Sequence, residues 1–389
     1  MQLTTRITLS TLLTAGLAYF PGTALAQAPN IAVQGRLQVQ YRASGGDSTT
    51  NYNPTLQRNG FEIRRARIQA NVRFGDNITF VVQPSFEMSA LRLRDAYLRV
   101  GLNPHWGITL GQEKSPFQRY ELVSSNNLLS IERGLRVLAL SGKEAMNDVL
   151  LNNGYVSHDM GAFVDYVAPE SRFTVKVGLQ NGSRESSLDV NNAKSFFGRV
   201  TGTPVINADN QPVLQLGASI ASRDRAVCNS CAGTITYFPG VSKRTNAFGA
   251  DLEYGGFRPG LHIIADVATG DNVPIARRIN TGRNTGNLIN TADSNVVTFR
   301  SIHLIGAYRV NTSGSDNRLV KTLEPALRLD LTDPNTSVND DAGILITPVL
   351  NVYFTNTVIL RAALDVYRYK TLAVNRYAQE FKISWQANF

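Results

Sequence analysis

The sequence predicts an all-β protein, a transmembrane antiparallel β-barrel of about 16 strands with polar residues facing its lumen. Three features of the chain favour this class. Segments of roughly ten residues alternate apolar and polar side chains along most of the sequence, as tilted membrane-crossing strands do. The connections between these segments alternate between short and long, and the N-terminal residues have the pattern of an export signal.

Residues 1–26 are predicted to form a cleaved secretory signal peptide. Arg6 precedes an uncharged stretch over 7–20, and Ala24-Leu25-Ala26 supplies the small residues of a cleavage site. The stretch is shorter than the roughly 20 residues of a membrane-spanning helix, so cleavage is favoured over an uncleaved anchor. We therefore expect a mature chain that begins at Gln27 and a single outer-membrane barrel domain over 27–389.

Composition excludes one alternative and leaves another open. No later segment approaches the roughly 18 consecutive apolar residues of a spanning helix, which excludes an exported helical bundle. The hydrophobic fraction of 43% and the mean hydropathy of −0.14 suit a soluble β protein and a membrane barrel equally, because a barrel hides polar residues in its lumen. The choice therefore depends on the strand pattern.

The predicted strands lie between turn signals and keep the two-residue period of a half-buried β-strand. They are residues 31–42, 59–74, 77–86, 91–101, 105–114, 159–168, 172–181, 193–203, 213–223, 243–255, 257–268, 296–310, 318–331, 342–354, 356–370 and 377–389. Their even number is what a closed bacterial barrel with both termini on the periplasmic side requires.

The lengths of the connections separate a membrane barrel from a soluble sandwich. The short ones are 75–77, 103–104, 169–171, 255–256 and 355–356. The long ones are 43–58, 115–158, 182–192, 224–242, 269–295 and 332–341. Residues 87–90 are short where a loop is expected, and 204–212 are long for a turn. Because a sandwich offers no reason for this alternation, we favour the barrel.

The last predicted strand, 377–389, shows the alternation most completely. One face carries Tyr377, Phe381, Ile383, Trp385, Ala387 and Phe389, and the other carries Glu380, Lys382, Ser384, Gln386 and Asn388. In isolation this pattern would equally suit an edge strand of a soluble sheet. In the context of the other strands we expect it to close the barrel against 31–42, with Phe389 as the signal for the barrel assembly machinery.

The longest connection, residues 115–158, is predicted to be a constriction loop. A connection longer than about 15 residues is either functional or disordered, and the leucines over 128–140 favour packed structure. Two placements stay open, one folded into the lumen and one as an extracellular hairpin over its mouth.

The alternation also assigns arginines to the two faces of the wall, because a lipid-facing Arg at the bilayer midplane costs roughly 2–4 kcal/mol. The arginines predicted to point inward from the first, second and fourth strands are Arg36, Arg42, Arg65, Arg67, Arg73 and Arg99. Arg92, Arg94 and Arg300 fall on the lipid-facing parity, so we place them near the outer rim or at a subunit contact.

The basic balance of the chain bears on its partner. Its formal net charge is +9, with a pI near 9.6. Nucleic acid is not expected, because the aromatic residues fall on lipid-facing positions and do not interleave with the basic ones. A small anion that passes through a positive constriction is the partner that the pattern favours.

Three segments resemble the phosphate-selective porin family of the O and P type. They are FEIRRARI at 61–68, LRLRDAYLRV at 91–100 and GITLGQEKSPFQRYELVSSNNLLSIERG at 107–134. The positions that carry the resemblance are Phe61, Arg64, Arg65, Asp95, Ala96, Tyr97, Gly111, Gln112, Lys114, Pro116, Phe117, Glu132 and Arg133. The match covers the N-terminal third of the chain well.

The resemblance implies a homotrimeric channel, surrounded by outer-membrane lipid and lipopolysaccharide, for passive uptake of phosphate or polyphosphate without a cofactor. On this basis the anion path is predicted to include Arg65, Arg67, Arg73, Arg99, Lys114, Arg119 and Arg133. Arg offers a planar fork of donors for phosphate oxygens, and several weak sites allow an ion both to enter and to leave. Glu113 and the acidic residues of 115–158 favour general anion preference over phosphate specificity, so a general-diffusion porin stays open.

Other residues support weaker interpretations. Cys228 and Cys231 are the only cysteines, and in an exported chain a local disulfide is favoured over a metal site, since the pair supplies only two ligands. The four histidines show no arrangement with Ser and a carboxylate that would indicate a hydrolase. A barrel enzyme and an adhesin are therefore the less favoured alternatives.

Overall fold

The structure is a computed structural model. It describes residues 28–46, 59–87, 90–135, 145–183, 185–186, 189, 192–228, 237–256, 259–272, 288–290, 296–312, 319–339, 341–371 and 374–389. The predicted signal peptide lies outside the described residues.

Antiparallel strands form a single closed wall. The first eight are β1 (Asn30–Gly46), β2 (Asn59–Phe74), β3 (Ile78–Glu87), β4 (Ala90–Gly101), β5 (Trp106–Lys114), β6 (His158–Val167), β7 (Phe173–Gln180) and β8 (Ser195–Ile206). They are followed by β9 (Pro212–Cys228), β10 (Tyr237–Tyr254), β11 (Gly260–Asn272), β12 (Leu288–Asn290), β13 (Val297–Asn311), β14 (Thr322–Asp333), β15 (Gly343–Tyr353), β16 (Val358–Thr371) and β17 (Val374–Asn388).

Each wall strand pairs with its neighbours in the sequence, and β1 closes the wall by pairing with β17 as well as β2. The three-residue β12 pairs in parallel with the end of β9 and is not part of this antiparallel wall. The remaining strands make the closed 16-stranded barrel that the sequence predicts.

The two connections that fitted the alternation poorly have simple explanations. β8 continues to Ile206 and β9 begins at Pro212, so the predicted long connection at 204–212 shortens to a turn. β3 ends at Glu87 and β4 begins at Ala90, so the other connection is as short as the sequence indicates.

The barrel has two ends. We call the end that contains the start of β1 and the last residues of β17 the "turn end", and the opposite end the "loop end".

The two faces of the wall reverse the distribution seen in a water-soluble sheet. On β17, Phe381, Ile383 and Trp385 are exposed, whereas Glu380 and Lys382 on the opposite face are buried. A closed barrel leaves no free strand edge. Its strands alternate apolar side chains that face the outside with polar ones that line the inside.

Two β-bulges change the alternation on strands β2 and β4. Gln38 pairs with Arg65 and Val39 with Ile63, which leaves Arg64 as an extra residue on β2. On β4 the partner residues change from Ala96 to Leu93, so Arg94 and Asp95 together oppose Gln83 of β3. A bulge of this kind redirects side chains on one strand. The sequence-based placement of Arg94 on the lipid side is therefore wrong.

The connection between β5 and β6 contains two short helices, α1 (Arg119–Leu122) and α2 (Met146–Asn153). Its apolar residues pack against apolar residues on the buried face of the wall. One cluster joins Phe117, Met146, Val149, Leu150, Tyr155 and Val156 to Phe197, Ala221, Ala247, Ala268 and Phe299. A second joins residues 120–131 to β11, β13, β14, β15 and β16. No described helix is both long and apolar enough to cross a membrane.

Helix α2 is followed by its C-cap residue Gly154, whose φ of 73° is in the left-handed region. A Cβ at this position would lie 1.7 Å from Nη1 of the Arg223 guanidinium. That guanidinium donates to the Asn153 carbonyl at 2.7 Å and to the Gly182 carbonyl. Glycine therefore allows an Arg of β9 to hold the helix C-terminus against the wall.

Candidate functional site

A cavity of about 740 Å³ lies between strands β2–β6 and the β5–β6 connection. Its cationic lining residues are Arg64, Arg65, Arg67, Arg94, Lys114 and Arg133. Its carboxylate lining residues are Glu87, Asp95, Glu113, Glu121, Glu132 and Asp148. The arrangement of these charges, and not their total, decides what the site can bind.

The Glu132 carboxylate, from the connection, is held by two consecutive arginines of β2. Arg64 donates from Nη2 to Oε2 at 2.9 Å and from Nε to Oε1. Arg65 donates from Nη2 to the same Oε2 at 2.8 Å, and from Nη1 to Gln38 at 2.8 Å. Both arginines reach the carboxylate because the bulge at Arg64 turns two adjacent side chains inward.

Glu87, at the end of β3, is the second carboxylate among the wall arginines. Arg94 donates to its Oε2 at 2.5 Å, and Arg67 donates to its Oε1. Arg67 also donates to Ser85 and to Ser125 of the connection, each at 2.9 Å. The bulge on β4 is what brings Arg94 into this group.

Arg36 of β1 is a buried cation with a different environment. Its Nη2 donates to Ser125 Oγ at 2.9 Å, so this hydroxyl accepts from both Arg36 and Arg67. Among the described residues Arg36 has no ion-pair partner, and its Nε and Nη1 have no hydrogen-bond acceptor. These donors are suited to an anion.

Lys114 and Arg133 shape the connection. Lys114 Nζ donates to the carbonyls of Glu121 at 2.8 Å and Val123 at 3.3 Å. Arg133 Nε donates to the Tyr120 carbonyl at 3.3 Å and lies 3.8 Å from the Glu121 carboxylate. Both cations therefore fix the backbone over 120–123 while they line the cavity.

Two of the other lining carboxylates have partners away from the wall arginines. Asp95 lies 3.3 Å from His158 Nε2, and Glu113 accepts from Lys176 Nζ at 2.6 Å. The cavity-lining arginines of β2 and β4 thus pair with Glu87 and Glu132, and Arg94 also donates to the Glu185 carboxylate at 2.6 Å.

The opposite side of the wall anchors the connection through its backbone. Arg361 donates to the Asn126 carbonyl at 3.1 Å, and Asn351 donates to the Leu129 carbonyl at 3.0 Å. Tyr120 stacks on His303 of β13 with ring centroids 4.0 Å apart. Burial raises the pKa of Tyr120, which keeps its phenol neutral as it hydrogen-bonds to Ser130 at 2.5 Å.

The cavity brings together four of the seven predicted anion-path residues, namely Arg65, Arg67, Lys114 and Arg133. Arg73 is exposed near the turn end of β2 and does not line it. Arg99 pairs with Asp165, with Nη2 and Oδ2 2.8 Å apart, and lines a separate cavity of about 430 Å³. Arg119 pairs with Glu253 on β10 and also lies outside the main cavity.

Arg64, Arg94 and Glu87 contribute to the cavity but are absent from the predicted path. The sequence carries a signal for the two arginines. Exposed apolar residues occupy odd positions at Phe61 and Ile63 but even positions from Ile68 onward, and the same change separates Leu91 from Leu98. Such a change of parity within one strand indicates a bulge.

The predicted Cys228–Cys231 disulfide cannot be compared with the structure, since Cys231 and the side chain of Cys228 lie outside the described residues.

A closed 16-stranded barrel with an apolar outside and a charged inside is a membrane barrel of the porin class, and solved structures share its fold. An anion-selective porin from Comamonas acidovorans aligns with a TM-score of 0.59 at 10% identity, over 93% of this chain and 100% of that one. The outer-membrane channel DcaP of Acinetobacter baumannii aligns with a TM-score of 0.56 at 10% identity, over 93% and 98%. A loop-deletion form of OmpT of Vibrio cholerae gives 0.55 at 13% identity, over 93% and 100%.

The family is defined by sequence. The family model for phosphate-selective porin O and P matches residues 31–230, about half of the chain. The chain therefore belongs to the phosphate-selective porin O and P family, as its N-terminal motifs indicate. It is an outer-membrane porin and not an enzyme. No curated protein matches its sequence.

Proposed function

We propose that this porin forms a water-filled channel that prefers anions and admits small anions such as phosphate. The observation that carries the proposal is an excess of guanidinium groups over the carboxylates beside them. Among the described residues, the four cavity-lining arginines Arg64, Arg65, Arg67 and Arg94 pair with the three carboxylates of Glu87, Glu132 and Glu185, and Arg36 of β1 has no ion-pair partner. The excess positive charge lies on β1, β2 and β4, within four consecutive strands of the wall, where it acts on each ion that passes.

We further infer that the β5–β6 connection lies within the lumen and narrows it. Its hydrogen bonds to Arg36, Asn351 and Arg361 support this placement, because those residues belong to strands on both sides of the β1–β17 seam. At ordinary salt, charges are screened over roughly 8–10 Å, so a narrowed passage increases the influence of the arginines.

The phosphate preference has separate support. It rests on family membership and on the match between the guanidinium fork and phosphate oxygens. A second candidate is a general porin without phosphate specificity. Equal numbers of cationic and carboxylate side chains line the cavity, which favours moderate selectivity.

The experiment that tests the proposal is the reversal potential of the purified protein in a planar bilayer under a potassium chloride gradient. We expect a potential of the sign that chloride preference gives, and a chloride current that falls as phosphate is added. Cation preference would contradict the anion channel. A chloride current indifferent to phosphate would contradict phosphate preference alone and favour the general porin.

The cellular setting is also a proposal. We expect removal of residues 1–26, assembly into a homotrimer within lipid and lipopolysaccharide, and recognition of Phe389 by the barrel assembly machinery. Exposed apolar side chains over the outer face support a membrane or subunit environment. N-terminal sequencing of protein from outer membranes and its mass in detergent would test cleavage and trimer formation.

A further inference from the structure

We propose that the carboxylate of Glu132 acts as a tethered competitor for the permeating anion, occupying the donors of Arg64 and Arg65 that a phosphate-like anion would otherwise take. The inference rests on the proposed function and assigns a specificity-determining role to one residue of the connection. It concerns a single carboxylate whose position, partners and attachment can each be described.

The contacts of this carboxylate are those expected of a bound oxyanion. Three guanidinium nitrogens of Arg64 and Arg65 donate to its two oxygens, with Nη2 of each at 2.9 and 2.8 Å from Oε2. Charge-assisted bonds from adjacent guanidinium forks are also how proteins hold phosphate oxygens. Glu132 therefore places a carboxylate where two arginines converge in the cavity.

The attachment of Glu132 differs from that of the arginines it contacts. Its carbonyl accepts from Arg328 of β14 at 2.9 Å and from Ser130 at 2.6 Å. Its side chain reaches β2 on the other side of the β1–β17 seam. The backbone is thus held by one part of the wall while the carboxylate is presented to another.

Glu87 provides a useful contrast. It belongs to β3, next to the strand of Arg67, and is therefore a fixed counter-charge within the wall. Glu132 belongs to the connection and adds a negative charge from the other side of the cavity. Because a channel needs sites weak enough for an ion to leave, a tethered carboxylate at the convergent arginines lowers anion affinity and favours release.

Removal of this charge should strengthen anion binding. In Glu132→Gln the side chain keeps nearly the same shape, while Arg64 and Arg65 lose their shared carboxylate. We expect the phosphate concentration that halves the chloride current to fall by about tenfold, because two unit charges a few ångströms apart in a water-filled passage interact by about the 1.4 kcal/mol to which a tenfold change corresponds. The chloride-to-potassium permeability ratio should rise.

The test uses the full chain in planar bilayers, with Glu253→Gln as the matched control. That substitution removes the same charge from Arg119, which lies outside the cavity, and should leave phosphate inhibition unchanged. Glu132→Asp retains the charge on a shorter side chain and should shift the inhibition less than Glu132→Gln. Heat-modifiable migration in gels verifies that each variant is folded.

The possible results separate this inference from the proposed function. Anion preference in the wild type with unchanged phosphate inhibition in Glu132→Gln would overturn the inference alone. Equal loss of selectivity in Glu132→Gln and Glu132→Asp would also overturn it, since Glu132 would then serve only to anchor the connection. Cation preference in the wild type would overturn the proposed function, and with it the inference.

Discussion

At the scale of single residues, the wall arginines depend on the carboxylates beside them. Arg65 is 4% exposed and Arg64 is 7% exposed, and charged groups with so little access to solvent are stable only when paired and hydrogen-bonded. Glu132 and Glu87 supply that pairing. The same contacts that stabilise the site therefore weaken its positive potential.

Replacement of Arg65 and Arg67 by Ala should reduce the chloride-to-potassium permeability ratio by roughly threefold or more, since two cations are lost while both carboxylates stay. Reversal potentials in a salt gradient provide the measurement. Arg73→Ala is the matched control, because Arg73 is exposed and outside the cavity. Equal effects in the two proteins would place the selectivity elsewhere.

Gly154→Ala should destabilise the barrel by roughly 1–2 kcal/mol from the left-handed backbone alone, with a further cost from displacement of Arg223. The temperature at which the folded gel band disappears gives the comparison. Gly202→Ala is the control, since nothing lies within 4 Å of its added Cβ. A Gly154→Ala variant as stable as this control would show that the Arg223 contact is dispensable.

At the scale of elements, the strands can be predicted from the local alternation of side chains. The residues that pair with the arginines of these strands depend on contacts distant in sequence and cannot be predicted in this way. The two-residue period identifies β2 because side chains alternate between lipid and lumen on each side of the bulge at Arg64. The pairing of Arg64 with Glu132 joins residues 68 positions apart through an irregular connection. No periodicity carries that information, so the inward-facing Arg65 and Arg67 can be predicted from the sequence, whereas the pairing of Arg65 with Glu132 cannot.

The bulge at Arg64 leads to a prediction about deletions. Loss of Arg64 should leave the barrel folded, because it restores regular pairing with β1 while Ile63 and Arg65 keep their faces. Deletion of Ala70, within a regular part of β2, shifts the residues on one side of the deletion by one position. Their side chains then point to the opposite face of the wall, which should prevent folding. Heat-resistant migration after refolding in detergent distinguishes the two. A folded Ala70 deletion would mean that the register is less constrained than the wall suggests.

At the scale of the whole molecule, membrane and water act on opposite faces of one sheet. Leu304, in the middle of β13, is 41% exposed on the outer face. Leu304→Arg should cost roughly 2–4 kcal/mol of folding free energy in a bilayer. Urea unfolding in lipid vesicles measures this loss of folding free energy, with Leu304→Ala as the reference variant. The loss should be smaller when both variants are unfolded in detergent. Equal losses in both media would argue against a lipid-facing position.

The seam between β1 and β17 has a consequence for the order of folding. Gln38 and Ser384 hydrogen-bond across it although they are 346 residues apart, and the ring of Phe389 covers Gly35 so closely that a Cβ there would lie 2.2 Å from it. Contacts so distant in sequence are slow to form, because closing a long loop costs conformational entropy, and we expect the seam to close last. Until they form, the chain is an open sheet with two unpaired edges, each able to join another molecule. The fit of one ring over one glycine therefore marks the step at which the sheet stops being able to aggregate through its edges.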